Sequence, residues 1–362
     1  ATFDKTAADP RFRFYGYVEF GKDVTLADLR EHYHQIVYAT GAQTDRRMGI
    51  PGEDLRGSHP ATEFVAWYNG HPDYQDCRFD LRQERVAVVG VGNVAVDVAR
   101  ILCRTPEELV ATDISEGALE ALRQSRVREV YMLGRRGPAQ AAFTNPEIKE
   151  LGELAGADIV VHPEEVQLDE LSRAALEKGQ DRATQKKVEI LRGYAQRTPS
   201  GKPRRLILRF LVSPVELVGD AEGQVVAMRL VKNELHATAA GTLQPKPTDK
   251  TEELPVGLVF RSVGYKGVPL AGVPFNDSWG VILNDKGRVL DAESRRPVLG
   301  EYAAGWIKRG PTGVIGTNKP DAAETVVAML EDLAQGAVLA PAHPEAAAAE
   351  ALIRRRQPNY VS

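Results

Sequence analysis

Hydrophobic residues along the chain fall into short runs, each closed by glycine or a polar cluster, and these runs alternate with stretches of helical spacing. The run Ile36-Val37-Tyr38-Ala39 ends near Gly41, which suits a buried strand whose end must turn sharply. Residues 12–20 also have strand-like composition, and residues 28–33 between the two read as a helix-like turn. From Val86 the pattern becomes strand, Gly-rich turn and then helix over 93–102, which opens a βαβ unit. Residues 105–125 predict one or two helices, with Pro106 and Asp113 at favoured starts. A second strand is expected at 127–133, a helix at 146–154 and a further strand at 157–161.

Residues 167–194 are charge-rich and compatible with helix, and Pro199, Gly201 and Pro203 punctuate the chain after them. Strands follow at 205–212, 215–217 and 225–232. The polar stretch 238–253, which holds Pro245 and Pro247, reads as a loop, and 254–260 restores the buried-strand pattern. A short strand at 281–283, the apolar segment ending at Trp306, a Gly-rich turn and a helix over 319–330 complete the ordered pattern. The tail, 336–362, is Ala-rich and then basic, as in a surface helix. This order predicts an α/β chain in which one domain, 84–258, is inserted between two parts of another, 1–83 and 259–335.

Composition changes this picture little. With 362 residues, 43% hydrophobic and 27% charged, the chain is long enough for two domains and ordinary for a globular protein. A net charge of -4 gives no nucleic-acid signature. No apolar run is long enough to span a bilayer, and the first residues lack the apolar core of a secretory signal, so a cytoplasmic location is expected. Cys77 and Cys103 match neither a zinc site nor a Cys-x-x-Cys redox pair, and no metal site is expected.

The chemistry is concentrated between residues 85 and 136. Gly90-Val91-Gly92-Asn93-Val94-Ala95 fits the Gly-x-Gly-x-x-Gly/Ala fingerprint, placed directly after a strand and at the opening of a helix. Gly90 permits the tight turn, Gly92 lets the backbone approach a pyrophosphate, and Ala95 keeps helix and strand close. The helix start offers its amides and the positive end of its dipole to the phosphates. Two glycines in a βα turn also serve packing alone, so the second strand matters. An NAD site usually ends that strand with Asp or Glu, whereas here it ends Leu133-Gly134-Arg135-Arg136-Gly137. Paired guanidinium donors favour a 2′-phosphate and hence NADP(H). The alternative is a solvated arginine pair on a loop.

At these residues the sequence resembles the ferredoxin-NADP reductases of the adrenodoxin reductase type. The matching stretches are Tyr38-Ala39-Thr40-Gly41-Ala42 with Asp45-Arg46, Ile50-Pro51-Gly52-Glu53-Asp54, and Gly92 to Arg100. They continue with Gly134-Arg135-Arg136-Gly137-Pro138, then Gln140 to Thr144, and finally Gly305-Trp306-Ile307-Lys308-Arg309-Gly310-Pro311-Thr312-Gly313-Val314-Ile315 to Lys319. The resemblance implies an inserted domain that holds NADP(H) and an outer domain that holds FAD, both dinucleotide-binding and Rossmann-like. It assigns NADP(H) to Arg46, Gly90, Gly92, Asn93, Val94, Ala95, Arg135, Arg136, Glu147 and Gly313. It assigns FAD to Trp306, Gly313, Val314 and Ile315, and it puts Glu150 near the nicotinamide by its spacing after Glu147. It also implies ferredoxin, or a similar iron-sulfur carrier, as partner. Basic residues such as Lys308, Arg309 and Lys319 are candidates to dock it.

Members of the family begin with another Gly-x-Gly-x-x-Gly turn for the FAD pyrophosphate, and none precedes Gly90. The FAD domain is therefore expected to be N-terminally truncated, without its first βαβ unit. The competing reading is a non-catalytic NADPH-binding module or subunit that needs a separate FAD-binding segment. A third keeps the enzyme and changes the acceptor, as in the small subunit of glutamate synthase. The oligomeric state is left open.

Overall fold

The computed structural model describes residues 2–179, 181–239, 241–313 and 315–362. They form two compact units, Asp45–Gly264 and a second made of Ala1–Thr44 with Tyr265–Ser362.

The larger unit contains, in chain order, β1 (Ser58–Pro60), α1 (Ala61–Tyr68), β2 (Arg85–Val89), α2 (Asn93–Cys103), α3 (Pro106–Leu109), α4 (Glu116–Arg123) and β3 (Glu129–Gly134). There follow α5 (Asn145–Leu151), β4 (Ala157–Val161), α6 (Glu170–Gly179), α7 (Arg182–Ala195) and β5 (Arg204–Phe210). Last come β6 (Val212–Gly219), β7 (Val225–Ala237), β8 (Leu243–Pro255) and β9 (Leu258–Arg261). Six strands pair in the order β1-β9-β2-β3-β5-β4, every pair parallel. β6, β7 and β8 form a separate antiparallel sheet with β7 in the middle.

The sequence accounts for this layout. Val86 to Val89 are all buried, as a central parallel strand covered on both faces requires. On α2, Ala95, Val96, Val98, Ala99, Leu102 and Cys103 turn inward and join Val86, Val88, Val130 and Met132 in one core. Thr105 and Glu108 form a reciprocal cap on α3, with Pro106 at its first position. The next helix begins at Glu116 on a Ser115 cap rather than at Asp113.

The units divide at residues 45 and 264 rather than at 84 and 258. The reason is β1, which extends the parallel sheet beside β9, and α1, whose Phe64 and Trp67 enter the same core. The stretch expected as a loop, 238–253, contains most of β8, paired to β7 from Leu243 onward. Pro245 and Pro247 are tolerated because β8 is an edge strand, and the register shifts between Pro247 and Thr251.

In the smaller unit, strand Ile36–Tyr38 lies parallel to Pro297–Ala303, which is flanked on its other side by Arg288–Leu290. Residues 12–20 form no strand there, only single bridges from Gly16 to Val361 and from Phe20 to Val24. Phe12, Phe14 and Tyr17 are exposed, so their apolar character has no sheet face to cover. The helix expected at 319–330 runs from Ile315 to Ala334 with Pro320 inside it. The tail supplies a helix, Ala346–Arg356, that buries Ala349, Leu352 and Ile353, and Arg356 pairs with Asp28 at 2.5 Å. No helix among the described residues is long and apolar enough to cross a membrane.

Candidate functional site

The turn between β2 and α2 lies at the carboxyl edge of the parallel sheet, where open α/β sheets receive ligands. Gly90 has φ 135° and lies against Ser262, whose carbonyl oxygen a Cβ would overlap. Its amide donates to the Leu133 carbonyl at 2.9 Å, which ties the turn to β3. Gly92 caps α2 in extended conformation, and nothing lies within 4 Å of where its Cβ would be. Packing therefore does not require glycine at 92, and the open face is what approach by a phosphate needs. Asn93 accepts from the Thr144 amide at 3.0 Å, the Val91 carbonyl accepts from Ala142 and Phe143, and Ala95 is fully buried. Val94 packs on the edge of the core.

Arg135 and Arg136 follow β3, the strand beside β2. Among the described residues neither guanidinium has a hydrogen-bond or ion-pair partner. Partial burial and the neighbouring charge of Arg135 pull the Arg136 pKa down, as expected for a cation held next to another without an acid. Two uncompensated guanidinium groups, following the strand next to the one that leads into the glycine turn, have the donor chemistry that an anion calls for. A cavity of about 530 Å³, lined by Glu84, Ser125, Arg126, Arg128 and Arg204 among others, lies at the opposite, amino edge of the strands and is away from this turn.

Glu147 and Glu150 lie on α5 and reach the side of α2. Arg100 bonds Glu147 and stands 2.8 Å from Asp97 and 3.1 Å from Glu150, while Arg104 holds the other oxygen of Glu150 at 2.7 Å. Burial acts against the Arg100 charge, but its three acids outweigh it and raise the pKa, whereas burial raises that of Asp97. Arg46 is in the same unit, half-buried, with its amide bonded to the Gly264 carbonyl at 2.9 Å.

In the smaller unit, Trp306 stacks on Tyr265 with ring centres 5.7 Å apart and 23° between planes. Gly305 before it has φ 75° and open space beside its Cα, so a flat ring has room to approach there. Its amide donates to Asp321 at 2.6 Å. Gly313 has φ 81°, Ile315 begins the helix, and Val314 lies outside the described residues. Lys308 is not available for docking: it is buried between Glu324 at 2.8 Å, Asp321 at 3.4 Å and the Thr325 hydroxyl. Arg309 is likewise engaged, 3.2 Å from Asp321, while Lys319 is exposed.

Several residues that shape these turns carry no motif. Ser262 is visible only through the glycine it faces. Arg100 has a signal, since it stands three residues after Asp97 on a helix. Asn233 has a fainter one, as a buried carboxamide on strand β7 between exposed Lys232 and Glu234.

The sequence profile of the pyridine nucleotide-disulphide oxidoreductase family matches residues 14–148. NADPH-ferredoxin reductase FprA of Mycobacterium tuberculosis is 48% identical over 332 residues, covering 91% of this chain and 70% of that protein. Human mitochondrial NADPH:adrenodoxin oxidoreductase is 41% identical over 371 residues, covering 100% of this chain and 73% of that one. The structure of the Mycobacterium tuberculosis protein in complex with NADPH superposes with TM-score 0.91 at 45% identity, covering 99% of this chain and 78% of that chain. The chain belongs to the ferredoxin-NADP reductases of the adrenodoxin reductase type, and its α/β fold is the one that its motifs led us to expect.

Proposed function

We propose that this chain moves electrons between NADPH and a ferredoxin-type iron-sulfur protein by way of bound FAD, in the cytoplasm. The observation that carries the reading is the unpaired Arg135-Arg136 turn on the strand next to the glycine turn, in a chain 48% identical to an NADPH-ferredoxin reductase. Cys77 and Cys103 are free thiols, in keeping with a reducing compartment and with an enzyme that does not pass electrons through a disulfide.

FAD, when bound, accepts a hydride from nicotinamide and passes electrons on singly, which is chemistry no side chain supplies. The protein binds and orients. Gly90 and Gly92 shape the turn so that the amides of Asn93, Val94 and Ala95 meet the pyrophosphate. Arg135 and Arg136 take the 2′-phosphate, with Arg46 and Glu147 as further nucleotide residues. Trp306, Gly313, Val314 and Ile315 are assigned to the flavin. Glu150 remains the candidate near the nicotinamide, its carboxylate held in place by Arg100 and Arg104.

The test is direct. Denaturing the purified protein releases flavin absorbance, and the native protein reduces ferredoxin with NADPH as donor. NADPH binding without any such reduction, even with FAD supplied, contradicts the proposal.

A further inference from the structure

The arginine pair is held from behind. Asn233, on β7, is 3% exposed, and its side-chain amide donates to the Arg135 carbonyl at 2.9 Å and to the Ser213 hydroxyl at 2.8 Å. Its backbone amide donates to the Leu211 carbonyl at 2.7 Å, and the Leu211 amide donates to the Arg136 carbonyl at 3.1 Å. Leu211 itself adopts φ 57°, a left-handed conformation that costs a non-glycine residue free energy and persists only where its surroundings fix it. The carbonyls of both arginines are thus pinned by one pair, Leu211 and Asn233, at the junction between the parallel sheet and the antiparallel one.

The chemistry is specific. The Arg135 carbonyl only accepts, so residue 233 must donate, and the carboxamide nitrogen has one hydrogen for it and one for Ser213. Two adjacent like charges that lack acids repel each other and, unless the backbone is fixed, splay apart. A 2′-phosphate needs both forks at one place, and preorganised donors bind it without paying to be ordered.

We infer that Asn233 is a positioning residue that sets the preference for NADPH over NADH by fixing the backbone under Arg135 and Arg136. The inference rests on the assignment of that pair to the 2′-phosphate. It is tested by fluorescence titration of NADPH and of NADH into the whole protein and its variants Asn233→Ala, Ser213→Ala, Arg135→Ala/Arg136→Ala and the combination of Asn233→Ala with the arginine changes. Asn233→Ala raises the Kd for NADPH about tenfold and leaves NADH within about twofold, with a smaller change of the same kind for Ser213→Ala. Once both arginines are gone, Asn233→Ala has no further effect on NADPH. Should Asn233→Ala not fold, Ser213→Ala carries the same comparison. If the arginine variant loses the preference but Asn233→Ala and Ser213→Ala weaken both nucleotides equally, or neither, the inference is overturned. If the arginine variant keeps the preference, it is the assignment of the 2′-phosphate that fails.

Discussion

Gly90 lies against Ser262 so closely that a single methyl group on its Cα would overlap the Ser262 carbonyl oxygen. The Ser262 amide is itself bonded to the Val89 carbonyl at 2.8 Å, so the contact is backbone against backbone and has little room to relax. Gly90→Ala combines this overlap with φ 135°, and we expect it to cost about 3 kcal/mol and to abolish nucleotide binding. Chemical denaturation and an NADPH titration check both. Gly92→Ala, where the space is open, keeps the stability and loses only nucleotide affinity, for NADPH and NADH alike.

His59, on β1, packs edge-on against Phe79 with ring centres 4.9 Å apart. Burial, aided by the nearby Arg261 charge, lowers its pKa from 6.5 to about 4. Because it is held neutral in the folded chain, unfolding takes up a proton at any pH between about 4 and 6.5. Its contribution is therefore complete above pH 6.5 and falls as the pH drops towards 4, by up to about 3 kcal/mol. His59→Phe should flatten this part of the stability profile relative to the parent chain. An unchanged slope would show that His59 is not the group responsible.

Arg100, largely buried, is the one cation that Asp97, Glu147 and Glu150 share among the described residues. Removing it leaves three carboxylates facing one another, with Arg104 compensating Glu150 alone. Arg100→Ala should destabilise the chain by about 3 kcal/mol at pH 7. Denaturant midpoints of the variant and the parent chain measure it.

Much of the nucleotide unit was legible in the sequence because its signals are local. The run Val86 to Val89, the glycines after it and the helix they open are neighbours in the chain, and so are Gly134 and the arginines. The long-range pairings were not legible. Residues 58–60 carry no strand pattern of their own and become β1 because β9, two hundred residues later, offers an edge. Pro245 and Pro247 argue against a strand until β7 makes theirs an edge. The basic pair Lys308-Arg309 reads as surface, yet Asp321 and Glu324 draw Lys308 inside. Likewise, nothing local marks Asn233 as the support of a turn about a hundred residues earlier.

The central claim is that the Arg135-Arg136 turn selects NADP(H). Its most direct test is the affinity of the Arg135→Ala/Arg136→Ala variant for NADPH and for NADH, measured side by side at one fixed salt concentration. Each charge-assisted contact to a phosphate contributes about 1.5–3 kcal/mol, so NADPH should bind about a hundredfold or more weakly while NADH changes by less than about twofold. An equal loss for both nucleotides would contradict the account.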